Sequence, residues 1–178
     1  MRNFIGIDLP KDIKNYLFNL QNELKKELSA KIKWVSKKNL HITLKFIGEL
    51  DKTKYDLIKD KLSKVNFKSF NLQLSSIGFF PNQKSPKILL VGLNECNKLS
   101  KLQKDIDSTL MNVLKDVQEF KTHITLGRIK LIKDEKSFQN LDKKHIEGKF
   151  FEVKSFSLFE SKLSKDGSKY TILETYDV

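Results

Sequence analysis

Two copies of one tetrapeptide hold the residues best suited to chemistry. Residues 41–44 and residues 123–126 both have the sequence His-Ile-Thr-Leu. The chain contains 3 histidines, and the chance that any two of them share their next three residues is about one in a thousand. The repeat therefore indicates duplicated structure, and its residue types indicate what that structure could do.

The paired His and Thr side chains suit chemistry at a phosphodiester. Histidine titrates near pH 6.5, so one imidazole can accept a proton while the other, protonated, donates one. Threonine hydroxyls can donate hydrogen bonds to phosphate oxygens as negative charge builds up on them. A catalytic zinc site usually takes three protein ligands, and these histidines would need Asp8 or Glu160 to complete one. We therefore predict an acid–base site with no metal and no other cofactor.

Strands must position both motifs. Side chains alternate across a strand, so His41 and Thr43 share one face, and His123 and Thr125 share one face in the second copy. The opposite face of the first strand is apolar and is expected to pack in the core; its members are Ile42, Leu44 and Phe46. If a pseudo-two-fold axis relates the two copies, both imidazoles and both hydroxyls converge in a cleft between two lobes.

The apolar pattern around the motifs predicts a mixture of helices and strands. A spacing of three and four predicts amphipathic helices over 10–28, 51–65 and 99–114. Strands are predicted over 3–9, 31–35, 40–48, 70–80, 87–93, 123–130, 149–160 and 169–176, with a hairpin turn at 165–167. This order predicts an α+β fold with mainly antiparallel sheet and helices packed outside, in one domain over residues 1–178.

Composition and charge narrow the class of protein. The 178 residues are 39% hydrophobic and 31% charged, which is typical of a globular protein. The formal charge of +12 favours a polyanionic partner such as RNA, although a lysine-rich organism would give the same excess. No apolar run suggests a membrane span, residues 1–10 lack the features of a signal peptide, and Cys96 is the sole cysteine. We expect a cytoplasmic protein with no membrane association and no obligate protein partner.

Segments along the whole chain resemble one family. KIKWVSKKNLHITLKFIGEL and THITLGRIK are similar to the two motifs of the LigT-like RNA 2′,3′-cyclic phosphodiesterases, two-histidine phosphoesterases long called 2′-5′ RNA ligases. NFIGIDLP resembles the family's opening strand and turn, IGFFPN its Gly-x-Phe-Pro segment, and LFESKLSKDGSKYTIL its C-terminal hairpin. The resemblance implies a bilobal duplicate of antiparallel-sheet lobes with outer helices around a central, V-shaped cleft.

The same resemblance implies roles for individual residues. His41 is the implied proton donor and His123 the implied proton acceptor, while Thr43 and Thr125 hold the phosphate. Arg128 matches an arginine that is common in the family's second motif. The implied substrate is RNA that ends in a 2′,3′-cyclic phosphate, which is hydrolysed to a 2′-phosphomonoester.

Four flanking residues are candidate substrate contacts: Arg128, Lys33, Phe79 and Phe80. In a regular strand Arg128 would lie on the face opposite His123, so a bulge or a strand end after Gly127 is needed to turn it toward the substrate. Without one, Arg128 is a surface arginine. Lys33 precedes the first motif and could contact the RNA backbone. One of the two phenylalanines could stack on a terminal base while the other fills the core.

Two alternatives stay open at the level of sequence. The first is an ATP-independent 2′-5′ RNA ligase or tRNA-processing enzyme, because hydrolysis run backwards with a 5′-hydroxyl in place of water makes a 2′-5′ linkage. The second is a non-catalytic RNA- or nucleotide-binding module that keeps the cleft. Intact His and Thr in both motifs favour the phosphodiesterase over the second alternative, and no segment resembles a nucleotide-binding loop.

Overall fold

The computed structural model describes residues 2–114, 119–164 and 167–178, which include nine strands, three α-helices and three short 3-10 helices. The strands are β1 (Arg2–Asp8), β2 (Ala30–Trp34), β3 (His41–Glu49), β4 (Phe70–Phe80), β5 (Ile88–Leu93), β6 (His123–Ile132), β7 (Phe150–Val153), β8 (Ser155–Ser164) and β9 (Gly167–Asp177). The helices are α1 (Lys11–Glu27), α2 (Lys52–Leu62) and α3 (Asn97–Leu110). Two residues of the predicted hairpin turn, 165 and 166, lie outside the described residues.

The strands form one curled antiparallel sheet. Its order is β7-β4-β5-β6-β3-β1-β8-β9, and β2 pairs with the second half of β6. The single strand predicted over 149–160 is two strands, β7 and β8, separated by Lys154. The division arises because β7 pairs with β4 whereas β8 pairs with β1, so the chain changes partner within one residue.

The helices cover the apolar face of this sheet. The stripes that the spacing predicts are buried in α1 (Ile13, Leu17, Leu20 and Leu24) and in α3 (Leu99, Leu102, Ile106 and Leu110). Each such side chain stabilises the fold by roughly 1.5–3 kcal/mol when it is fully buried. Asp51 caps α2 by accepting a hydrogen bond from the Lys54 amide, and α3 ends at Leu110 rather than continuing to Leu114. The predicted α+β fold with an antiparallel sheet and outer helices is confirmed.

The two motif strands meet at the centre of the sheet. β3 and β6 are antiparallel and pair through Ile42 and Ile124, both fully buried. Beyond this contact they diverge, because β3 continues along β1 while β6 continues between β5 and β2. We call the face opposite the two isoleucines, which carries the His and Thr side chains of both motifs, the cleft face.

Each long helix holds the motif strand of the other half of the chain. Gln21 in α1 donates a hydrogen bond of 2.8 Å to the carbonyl of Leu126 in β6. Lys45 in β3 forms an ion pair of 2.6 Å with Asp107 in α3. None of the helices in the described ranges is long and apolar enough to cross a membrane.

Candidate active site

The four motif side chains converge on the cleft face of β3 and β6. The antiparallel contact between Ile42 and Ile124 places His41 across from Thr125, and Thr43 across from His123. All four are half-buried, whereas both isoleucines point into the core. The charge of one ring acts on the other, since His123 contributes to lowering the pKa of His41. The predicted convergence of two imidazoles and two hydroxyls is therefore present.

Backbone carbonyls fix the orientation of both imidazoles. Nδ1 of His41 lies 2.6 Å from the carbonyl oxygen of Asn39, and Nδ1 of His123 lies 2.7 Å from that of Lys121. Because a carbonyl oxygen can only accept, each Nδ1 carries a hydrogen and each Nε2 is left to exchange a proton. Nε2 of His41 is 3.0 Å from the Thr43 hydroxyl.

Aromatic side chains surround His41. Its ring centroid lies 4.8 Å from Phe4 and 6.1 Å from Phe159, and Tyr170 meets it edge-on at 5.2 Å. This burial lowers the pKa of His41, an effect that the hydrogen bond to Asn39 and the charge of Asp8 partly oppose. At neutral pH the ring is therefore mostly uncharged until an anion, such as a phosphate, approaches it.

A β-bulge follows the threonine in each motif. The register between β1 and β3 skips Leu44, and the register between β5 and β6 skips Leu126. An extra residue reverses the alternation of the residues after it, so Arg128 lies on the same face as His123. Arg128 is exposed there, and its charge opposes the rise that burial causes in the pKa of Tyr170. A bulge is therefore present rather than a strand end, and it lies at Leu126, before Gly127 instead of after it.

The bulge in the first motif overturns one prediction. The alternation predicts Phe46 in the core with Ile42 and Leu44, but its side chain is 59% exposed and its ring lies 6.4 Å from Phe4 on the cleft face. The reversed alternation directs Lys45 inward instead. Phe46 follows His41 by five residues, just as Arg128 follows His123. This shared spacing could have identified Phe46 as a residue of the cleft face.

Three of the flanking candidates lie in one row across the sheet. Phe80 pairs with Ile88, Ile88 with Arg128, and Arg128 with Lys33. Directly opposed residues share a face, so Lys33 and Phe80 flank Arg128 on the cleft side. Phe80 is 39% exposed, with the ammonium of Lys121 5.4 Å from its ring centroid.

The structure separates the two adjacent phenylalanines. Phe79 is half-buried, and its ring lies 6.0 Å from that of Phe138. Its cross-strand partner is Leu89, which is fully buried. Phe79 therefore packs against the core, whereas Phe80 belongs to the cleft side.

The carboxylates that could have completed a metal site are engaged elsewhere. Asp8 forms an ion pair of 2.6 Å with Lys14, and Glu160 forms one of 3.0 Å with Lys162. Within residues 2–114, 119–164 and 167–178, no group of three or more His, Cys, Asp or Glu side chains is arranged to hold a metal ion.

Sequence reasoning missed two residues that hold the first motif. Tyr170 reaches His41 from β9, at a sequence distance that no local pattern spans. The backbone carbonyl of Asn39 accepts a hydrogen bond from Nδ1 of His41. The side-chain amide of Asn39 donates a hydrogen bond of 2.6 Å to the carbonyl of Ser168. Tyr170 lies within the KYTIL part of the C-terminal hairpin, whose resemblance to the family is the one signal that could have found it.

Comparison with known proteins agrees with this geometry. A family profile described as LigT like Phosphoesterase matches twice, at residues 7–90 and 91–170. A Methanocaldococcus jannaschii protein named RNA 2′,3′-cyclic phosphodiesterase is 33% identical over 180 residues, which covers 99% of this chain and 100% of the relative. A Thermotoga maritima protein of the same name is 32% identical, with 97% and 93% covered.

Solved structures are similar in fold. Escherichia coli LigT complexed with 3′-AMP superposes with a TM-score of 0.80 at 21% identity, covering 99% of this chain and 97% of that one. A Thermus thermophilus protein superposes with a TM-score of 0.77 at 24% identity, covering 99% and 97%. With two profile matches that together span most of its length, the chain belongs to the LigT-like phosphoesterase family.

Proposed function

We propose that the protein is an RNA 2′,3′-cyclic phosphodiesterase, which hydrolyses the terminal cyclic phosphate of an RNA to a 2′-phosphomonoester. The observation that carries the proposal is the pair of histidines, each held at Nδ1 by a backbone carbonyl, on the same face of the sheet as the two motif threonines. Relatives that match nearly the whole chain and are named for this activity support it.

The two histidines divide the proton transfers between them. Neutral His123 accepts a proton at Nε2 from a water molecule as that water attacks phosphorus. Protonated His41 donates its Nε2 proton to the departing 3′-oxygen of the ribose as the P–O bond breaks. Each step of this kind contributes roughly 10²–10⁴ to the rate.

Hydrogen-bond donors stabilise the negative charge that the attack builds up on the phosphate. The hydroxyls of Thr43 and Thr125 lie on the same face as the rings and can donate to non-bridging oxygens. The guanidinium of Arg128 can bind two phosphate oxygens at once, because its N–H groups form a fork. Its exposed position on the face of β6 that carries His123 supports this role.

Exposed side chains around the cleft suit the rest of the nucleotide. The ring of Phe46 is available for a terminal base to stack on, and stacking contributes about 1–3 kcal/mol per base. Lys33 lies beside Arg128 and can contact the RNA backbone. The partner is thus an RNA with a cyclic phosphate end, and the chemistry needs neither a metal nor a protein partner. A cytoplasmic location stays a prediction.

Incubation of a cyclic-phosphate-ended RNA oligomer with the protein in EDTA tests the proposal. We expect full hydrolysis after chelation, and no joined product when a 5′-hydroxyl RNA is absent. Activity that disappears in EDTA and returns with zinc or manganese would defeat the two-histidine mechanism. A second incubation with a 5′-hydroxyl RNA measures how far joining competes with hydrolysis.

A further inference from the structure

A groove extends from Arg128 along the outer ends of β5 and β6. It has a volume of about 810 Å³, within the range of roughly 300–1,000 Å³ that ligand sites occupy. The segment that joins β4 to β5 forms one wall, and residues 128–132 of β6 form the other. Arg128 belongs both to the cleft face and to this groove, so the groove begins on the face that carries the motif residues.

The charges of the groove are all positive. Lys84, Lys87 and Lys130 line it together with Arg128, and no Asp or Glu does. All three lysines are exposed. Across the part of the chain that the structure describes, none of them forms an ion pair with a carboxylate. The groove therefore complements a chain of negative charges.

A second hollow, beside the start of α1, differs in this respect. It has a volume of about 660 Å³ and is lined by Asp8 as well as by lysines. Lys14, one of those lysines, is neutralised by Asp8 at 2.6 Å and also donates to the carbonyl of Lys38. The lining of this hollow therefore mixes both signs of charge, whereas that of the groove does not.

Exposed apolar side chains lie among the groove lysines. Phe80 is 39% exposed and Leu131 is 57% exposed. Leu131 pairs with Lys31, two residues before Lys33, so it shares the face of Lys33 and Arg128. A groove that combines cations with exposed aromatic and apolar surface is typical of binding to single-stranded nucleic acid, in which the cations follow the backbone and the bases stack.

We infer that this groove binds the RNA strand on the 5′ side of the terminal nucleotide. The inference rests on the proposed function, which places the cyclic phosphate between the two histidines and Arg128. The preceding phosphates then pass Lys84, Lys87 and Lys130, and the base next to the terminal one reaches Phe80. The enzyme should accordingly prefer an RNA oligomer to a nucleoside 2′,3′-cyclic monophosphate.

Two triple variants with the same loss of charge test the groove. Lys84→Gln/Lys87→Gln/Lys130→Gln removes its cations, and Lys26→Gln/Lys98→Gln/Lys104→Gln removes exposed lysines from α1 and α3 as a control. The assay measures kcat/KM for a short cyclic-phosphate-ended RNA and for the matching cyclic mononucleotide. The groove variant should lower the oligomer-to-mononucleotide ratio by about tenfold or more, chiefly through KM, and the control should leave that ratio near the wild-type value.

The salt dependence of binding gives a second measurement that does not need turnover. For a fluorescent single-stranded RNA, each phosphate contact contributes about 0.7 to the slope of log affinity against log salt. The groove variant should reduce that slope by about 2. If the wild-type protein hydrolyses neither substrate, but RNA affinity falls in the groove variant and not in the control variant, the proposed function fails and the groove proposal stands. Equal effects of the two triple variants on the ratio and the slope would overturn the groove proposal.

Discussion

His41 and His123 share a local sequence but differ in their surroundings. His41 lies among Phe4, Phe159 and Tyr170, and this burial lowers its pKa. A donor with a lowered pKa is a stronger acid when it is protonated, but a smaller fraction of it is protonated at neutral pH. An anionic substrate offsets this cost because it favours the charged ring.

The pH dependence of kcat/KM should reflect this difference. In the proposed mechanism activity needs His41 protonated and His123 neutral, so the profile is bell-shaped and activity is lost as rising pH removes the proton from His41, whose pKa is lowered by burial. Asp8 raises that pKa, so Asp8→Asn should move the pH optimum to lower pH. Asp12→Asn on the exposed surface of α1 is the matched control and should leave the pH optimum in place. A pH optimum that rises in Asp8→Asn would contradict the assignment.

Loss of either histidine should be nearly as damaging as loss of both. His41→Ala or His123→Ala alone should lower kcat/KM by about 10³ or more, because acid and base act in one transition state. The double variant should be little worse than either single one. His145→Ala, which changes the third histidine outside both motifs, is the control. A motif variant that keeps a tenth of the activity would show that its histidine is not the acid or the base.

At the scale of elements, periodicity predicted which segments are strands and helices but not where a strand is interrupted. The stripes of α1 and α3 lie where their spacing predicted because an apolar face must be buried. The bulges at Leu44 and Leu126 depend on pairing with distant strands, so the prediction that Phe46 is buried was wrong. In the sequence, only Arg128 indicated that a bulge was needed. Phe46 and Arg128 each follow a motif histidine by five residues, and this shared spacing could have indicated a bulge in the first motif too.

A buried glutamine supports the second bulge. Gln21 donates at 2.8 Å to the carbonyl of Leu126, the extra residue, and at 2.8 Å to that of Val35. Gly127 follows, and a side chain there would come within 2.6 Å of Ile32. The position of Arg128 therefore depends on a helix residue more than a hundred positions away in sequence.

Removal of that amide should displace Arg128. Gln21→Met keeps a similar volume but has no donor, so we expect a loss of about 1–2 kcal/mol in the free energy of unfolding and a lower kcat at temperatures where the protein stays folded. If Gln21 acts by positioning Arg128, its effect on kcat should largely vanish in an Arg128→Ala background. Additive effects of the two substitutions on kcat would mean that Gln21 has only a structural role.

The whole molecule is a duplication in which the two halves are interlocked. The family profile matches each half separately, yet α1 holds β6 through Gln21 and α3 holds β3 through the ion pair of Lys45 with Asp107. The motif strands themselves pair at the centre of the sheet. Because each half contributes to the core of the other, we propose that residues 1–178 form one bilobal domain.

Unfolding should accordingly be a single cooperative transition. Trp34 in β2 is the sole tryptophan, so its fluorescence reports on the sheet beside β6, while far-ultraviolet circular dichroism reports on the helices. The two signals should change at the same denaturant concentration. Separate midpoints would show that the two halves unfold independently.

The proposed mechanism also predicts which bond breaks. In-line attack requires the water at His123 and the leaving oxygen at His41 to lie on opposite sides of phosphorus, and the two motif strands supply one histidine each. Only one ring oxygen can stand beside the donor, and we expect Phe46 and Arg128 to hold the nucleotide in one orientation. The resemblance to the LigT-like enzymes implies that the 3′-oxygen lies at His41, which leaves the phosphate on the 2′-oxygen, so we expect an RNA 2′-phosphate as the sole product. Chromatography against authentic 2′- and 3′-phosphorylated standards measures this, and Phe46→Ala should loosen the selectivity if stacking fixes the sugar. A predominant 3′-phosphate from the wild type would mean that the donor and acceptor are exchanged or that the nucleotide binds in the opposite direction.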